Sequence, residues 1–292
     1  MRLRYFVSVF AVGVFSGAAF LTADEGTANA QISLTAGASQ YTQDFSSLMV
    51  TGSTNSAPYA DNSTIPGFYA LVGRGPLGTG AVTYTPTIYG VTDGGTTLPG
   101  ITSFGSSGST NRAFGTVLTD AITAPSSGFM TYGFRFINND PTQTITQLTV
   151  QYTGEQWRRN STTDQTLAFS SAVFDAGTGG LDPQTGYSSN TSLDFISTGG
   201  STTGGTSPIY TTLKNGTITA TVRPGQEFWV RWVDVNDAGP DHATAIDNVS
   251  VTAAFDPTPA PPAYISGLIG SAVGFAQFSV VQLRRKRRLR KK

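Results

Sequence analysis

Apolar and polar residues alternate in short runs along residues 31–256, and no long 3.6-residue apolar repeat interrupts them. A period of two is the signature of strands with one face against a core. In the segment holding Tyr132, Phe134 and Phe136, the three rings fall on one face, with Gly133 and Arg135 on the other. Leu148, Val150 and Tyr152 repeat the pattern, with Thr149 and Gln151 opposite. Phe228, Val230 and Trp232 face one way and Trp229, Arg231 and Val233 the other, so this strand is expected to be central and covered on both faces. Residues 217–222 alternate thinly before an Arg223-Pro224-Gly225 turn, and Val249 and Val251 close the series.

Between these runs lie stretches rich in Gly, Ser, Thr, Asn and Asp. Residues 175–207 read as long loops with one short strand around Leu193 to Ile196, and residues 59–99 as loose chain with scattered aromatics. Many short strands separated by turn signals predict an all-β fold: a two-sheet β-sandwich of the jelly-roll, lectin-like kind. No internal repeat and no second domain are evident.

The two ends have a different pattern. Arg2 and Arg4 precede an apolar run from Tyr5 to about Leu21, and Ala28-Asn29-Ala30 is a small-x-small cleavage site. Residues 1–30 therefore read as a secretory signal peptide with a helical apolar part. After the body come a Pro-rich spacer (257–263), a mostly apolar stretch (264–283) and a basic tail (284–292). The apolar stretch, as a helix rising ~1.5 Å per residue, is long enough to span a hydrocarbon core of ~30 Å. Basic residues after it are expected to hold the end on the cytoplasmic side.

This order, with Pro257, Thr258, Pro259 and Ala260 at its start, resembles the PEP-CTERM class of bacterial sorting signals, more closely its PTPA variant. The resemblance implies an exosortase-type membrane protease as a partner alongside signal peptidase. It also implies a protein exported to the cell surface, outer membrane or extracellular polysaccharide matrix, passing through or held in the inner membrane by its C-terminal helix. In the body, Tyr41 to Phe45, Thr110 to Gly115, Thr153 to Arg158, Phe228 to Trp232 and Ala245 to Ser250 are similar to motifs of a secreted bacterial family that commonly carries such tails. That likeness implies a β-sandwich surface domain and no assigned reaction.

Charge refines the picture. The formal net charge of +0 is a cancellation. The C-terminal tail is basic, while residues 31–256 hold 8 basic and 16 acidic residues, a body charge of −8. An acidic body argues against nucleic acid as a partner, which needs a basic face. The absence of cysteine excludes disulfides and thiol chemistry, and one histidine excludes a multi-His metal site.

Candidate chemistry is thin. Asp234, Asn236, Asp237 and Asp241 crowd one loop and Asp247 follows, an oxygen-rich set of the kind that holds Ca²⁺, although the spacing is not that of an EF-hand. The other reading of the loop is an ordinary turn. Trp157 and Trp229, with Glu155 and Arg158 as polar partners, are candidates for stacking on a carbohydrate; Tyr69, Tyr84 and Tyr89 are further aromatic candidates. Glu155 and Glu227, the two glutamates of the body, would serve a glycoside hydrolase only if they faced each other. Glu155 is expected to pair instead with Arg158 or Arg231, and His242 to sit in a surface turn. The reading that follows is a non-enzymatic structural or adhesive surface protein. A Ca²⁺-dependent carbohydrate-binding module is the alternative, and a hydrolase ranks third.

Overall fold

The structure, a computed structural model, describes residues 31–51, 55–76, 81–123, 127–182 and 186–257. The segments expected to be a signal peptide, a sorting motif beyond Pro257, a membrane span and a basic tail lie outside the described residues. Among the described residues no helix is long and apolar enough to cross a membrane.

In chain order the strands are β1 (Ile32–Leu34), β2 (Gln40–Gln43), β3 (Asn55–Pro58), β4 (Phe68–Arg74), β5 (Val82–Tyr84), β6 (Ile88–Thr92), β7 (Gly100–Phe104), β8 (Ala113–Val117), β9 (Phe129–Asn138), β10 (Gln143–Arg159), β11 (Gln165–Phe174), β12 (Ser188–Ser189), β13 (Phe195–Ser197), β14 (Thr203–Gly204), β15 (Tyr210–Val222), β16 (Glu227–Val235) and β17 (Ala243–Pro257). They form two sheets. One runs β12-β11-β16-β9-β4-β5, with β1 beside β9 and β13 beside β11. The other runs β14-β10-β17-β8-β7-β6-β3, with β15 beside β10 and β2 beside β17. The long strands β9, β10, β11, β15, β16 and β17 fall alternately on the two sheets. Each crossing stitches the layers together, as in a sandwich rather than a meander.

The predicted period of two is realised. Tyr132, Phe134 and Phe136 of β9 and Leu148, Val150 and Tyr152 of β10 are all fully buried between the sheets. Rings meet across the gap: Phe68 lies 4.7 Å from Phe114, Tyr152 5.1 Å from Trp232, and Tyr41 5.4 Å from Phe134, centroid to centroid. Edge and tilted contacts of this kind add about 0.5–1.5 kcal/mol per pair beyond the area they bury. Gly133 has no side chain for a reason of space: a Cβ there would stand 2.0 Å from the carbonyl oxygen of Val230 on the neighbouring strand.

β16 sits between β11 and β9 and is buried on both faces from Glu227 to Asp234, as its double-sided apolar pattern predicts. The loose reading of residues 59–99 was too sparse. Phe68, Ala70 and Val72 alternate inward on β4, and β5 and β6 follow. β17 continues through Pro257, which pairs with Gln143, so the sheet includes the first residue of the proposed sorting motif. The beginning and end of the domain lie close together: β1 runs beside Phe136 to Asn138, Pro257 lies beside Gln143, and the Asn138 amide donates to the Gln143 carbonyl at 2.9 Å.

Candidate functional site

The outward face of the eight-stranded sheet carries the most organised polar chemistry. Alternation on β16 turns Glu227, Trp229 and Arg231 away from the core, and alternation on β9 and β4 turns Arg135 and Tyr69 the same way. The segment after β11 folds across them. Arg231 donates from Nε to Ser170 Oγ (2.9 Å) and from Nη1 to the Leu181 carbonyl (3.0 Å), and its guanidinium lies 3.5 Å from the Tyr187 ring centroid. This is a buried cation–π contact, worth ~2 kcal/mol where water is excluded. Gly179 lets the segment close down: a Cβ there would meet Trp229 Nε1 at 2.3 Å.

Glu227 is the anchor of this face. It is fully buried, and its carboxylate accepts from Arg135 Nη2, from the Gly177 amide and from Trp229 Nε1 at 2.9 Å. Burial pushes the carboxyl up, but the three donors together outweigh it and hold Glu227 below the usual glutamate range. Arg135 also lies 6.0 Å from the Trp229 ring, which leans on Tyr69 at 5.1 Å. Tyr69, Arg135 and Trp229, with Asp61, Asp182 and residues 179–181, line an open groove of about 320 Å³. That is the small end of ligand-sized pockets, ~300–1,000 Å³. Tyr69 and Arg135 are part-exposed at its wall, whereas Trp229 is only 3% exposed and supplies backing rather than an open ring face.

The other predicted ligand residues lie on the opposite side of the molecule. Glu155 and Trp157 point outward from the nine-stranded sheet. Trp157 is buried in a second apolar cluster, stacked on Phe104 at 5.8 Å, and donates from Nε1 to Glu155 Oε2 at 2.7 Å. Arg158 does not pair with Glu155: its Nε donates to Asn160 Oδ1 (2.8 Å) and its Nη1 to the Gly95 carbonyl (3.0 Å). Arg231, the other expected partner, is on the far sheet. Glu155 and Glu227 therefore face away from each other with the sandwich between them, which corrects the two-carboxylate hydrolase arrangement. Tyr89 is buried, and Tyr84 stands 40% exposed on β5 at the sheet edge.

The acidic set also divides. Asp234 points into the end of the sandwich, where Thr116 Oγ1 donates to its Oδ2 at 2.6 Å. Asn236 donates from Nδ2 to Asp120 Oδ1 and Thr123 Oγ1, both at 3.0 Å. Asp241 Oδ1 accepts the Asp237 amide at 3.0 Å, and Asp241 Oδ2 has no partner among the described residues. Asp247 does not join them. It lies four positions into the extended strand β17, which starts at Ala243, roughly 13 Å along it at ~3.3 Å per residue. There it accepts from the Asn248 amide and Nδ2 at 2.7 and 2.9 Å. Among the described residues no three His, Cys, Asp or Glu side chains are placed to hold a metal ion. The five residues expected to form a calcium shell thus form no single shell as placed, and Asp247 parts from the other four because β17 extends away from their loop.

Burial raises the proton affinity of these carboxyls. Burial pushes Asp241 and Glu155 each up to about 7 and Asp247 up to about 6, and raises Asp234 well above the carboxylate range. His242 is not in a surface turn. It is 1% exposed, its Nδ1 accepts the Asn160 amide (3.1 Å), and its Nε2 faces the Thr163 carbonyl (3.1 Å). That pairing assigns the proton to Nε2 in a neutral ring, and burial lowers the pKa accordingly.

Sequence reasoning missed Arg135, Asp61 and Asp182. Arg135 had a signal: it is a lone charge on the outward side of a strand whose inward side is aromatic. Asp61 and Asp182 had none, because loops bring them to the groove.

No family model matches this chain, and no curated protein does. Among solved structures, the carbohydrate-binding and GH10 modules of the Clostridium thermocellum xylanase 10B complexed with xylohexaose align over 52% of this chain and 24% of theirs, at 10% identity and TM-score 0.31. TmCBM61 in complex with β-1,4-galactotriose aligns over 51% of this chain and 75% of its own, at 14% identity and TM-score 0.27. The arabinose-bound α-L-arabinofuranosidase MgGH51 aligns over 77% and 30%, at 10% identity and TM-score 0.34. Likenesses this loose transfer neither a ligand nor a residue role.

Proposed function

We propose that this chain is an exported, non-enzymatic adhesive domain that holds a glycan in the Tyr69–Arg135–Trp229 groove. The observation that carries the reading is the groove itself: a part-exposed tyrosine ring, a guanidinium oriented by a buried carboxylate, and two carboxylates at the margin. A ring for the apolar face of a sugar and fixed polar groups for its hydroxyls are the elements of carbohydrate recognition. Asp61 and Asp182 beside the Glu227-paired Arg135 favour an uncharged, hydroxyl-rich saccharide over an acidic one. Export and surface sorting rest on the two chain ends and their likeness to PEP-CTERM signals. Alternation of the long strands between sheets supports a jelly-roll arrangement.

A glycan array followed by calorimetry tests the reading. Tyr69→Ala is expected to weaken the best glycan by about tenfold, since one stacked ring supplies on the order of 1.4 kcal/mol. Its thermal midpoint should stay near that of the parent, because Tyr69 is only half-buried. A glycan held equally well after Tyr69→Ala, or no glycan held at all, would reject the groove.

A further inference from the structure

The nine-stranded sheet has an open edge. β15 hydrogen-bonds β10 on one side, and among the described residues no strand pairs with its other side. Its register with β10 runs unbroken from Tyr210 to Thr219 before a bulge near Val222. Over Tyr210–Val222 it contains no proline and one charge, Lys214. Proteins that keep such an edge solitary blunt it with charges, prolines or bulges. Here the outward row is Thr211, Leu213, Asn215, Thr217 and Thr219, all exposed and all uncharged, with Leu213 63% exposed. Lys214 lies on the alternate row, so antiparallel pairing of two copies about Gly216 sets it opposite Ile218 rather than its own counterpart.

From this edge we infer that two copies of the chain join through β15, antiparallel across a two-fold axis, so that their nine-stranded sheets become continuous. A two-fold pair needs one self-complementary patch, and an uncharged strand edge supplies it through backbone hydrogen bonds alone. Opposed Thr and Asn side chains stabilise such strand pairs. The inference stands apart from the groove, which is on the other sheet.

The natural chain has no cysteine, so single cysteines report contacts without background. The full chain, purified in mild detergent, carries in turn Thr211→Cys, Leu213→Cys, Asn215→Cys, Thr217→Cys or Thr219→Cys, with Thr252→Cys in the middle of the sheet as control. Under mild oxidation, a mixture of the Asn215→Cys and Thr217→Cys chains, whose cysteines face each other in this register, is expected to give the most covalent dimer, and each outer position and the control at least about fivefold less. Adding Leu213→Lys and Thr219→Lys to both of these chains sets like charges opposite each other across the axis. It should cut cross-linking about tenfold with the thermal midpoint unchanged. Equal cross-linking at all positions, none anywhere, or indifference to the added lysines would overturn the inference. A dimer held through the apolar tail would give one of those three results.

Discussion

Glu227→Ala is expected to destabilise the domain by about 3–5 kcal/mol, the loss seen when one member of a buried ion pair is removed. Three donors lose their acceptor at once: the Arg135 guanidinium, the Gly177 amide and the Trp229 indole N–H. At roughly 2–4 °C per kcal/mol for a domain of this size, the thermal midpoint should fall by about 10 °C or more. Glycan binding should vanish as well, because Arg135 and the segment over Trp229 lose their anchor. Glu227→Gln retains the shape and some of the bonding and should lose less. Adding Arg135→Met to Glu227→Leu should recover much of the stability but none of the binding, since an apolar pair of similar volume tolerates burial where a lone charge does not. Near-parental stability of Glu227→Ala would show that the carboxylate does not organise this face.

The second large effect is on pH. A carboxyl whose folded pKa exceeds its unfolded value binds more protons in the folded state, so it favours folding at low pH. That advantage is lost as pH rises through the folded pKa. For Glu155 the window runs from 4.5 to about 7, for Asp241 from 3.8 to about 7, and for Asp247 from 3.8 to about 6. Asp234 acts in the same direction. At ~1.36 kcal/mol for each tenfold change in proton affinity, Glu155 alone supplies on the order of 3 kcal/mol. His242, with its pKa lowered by burial, opposes the trend below its ordinary value of 6.5, and Glu227, held low by its donors, opposes it only near and below 4.5. Unfolding followed from about pH 8 to about pH 5 should therefore show a midpoint rising by about 10 °C. Glu155→Gln should flatten part of that slope. Repeating the series with Ca²⁺ and with EDTA should give superposed curves. A gain with Ca²⁺ confined to the alkaline side would mean that a cation replaces the protons at Asp234 and Asp241. A midpoint that falls toward pH 5 would refute the buried-proton account.

Strand periodicity made the sandwich legible. Tyr132, Phe134 and Phe136, and Leu148, Val150 and Tyr152, lie where alternation placed them, because which face a strand residue takes is local information. The double-sided burial of β16 was legible for the same reason. What covers its outer face was not: the segment over Trp229 and Arg231 has no periodicity of its own. The site was read less well. Trp157 and Glu155 were paired with Arg158 by closeness in sequence, yet alternation sends neighbours to opposite faces, and Glu155 bonds the next residue on its own face. Asp234 and Asp247 were grouped by a loop that ends where β17 begins. Long-range pairs such as Arg135 with Glu227 depend on strand order, and a single sequence does not encode that order in any short window.

The nearness of β1 to the end of β17 has a practical corollary. Ends that lie at one pole, beside the Asn138–Gln143 turn, suit the domain to transplantation. A short linker from Pro257 back to Ile32 would permit circular permutation, with new ends opened at an exposed turn such as that around Gly225. The same geometry would let the whole sandwich be spliced into a surface loop of a carrier protein without prying its two sheets apart.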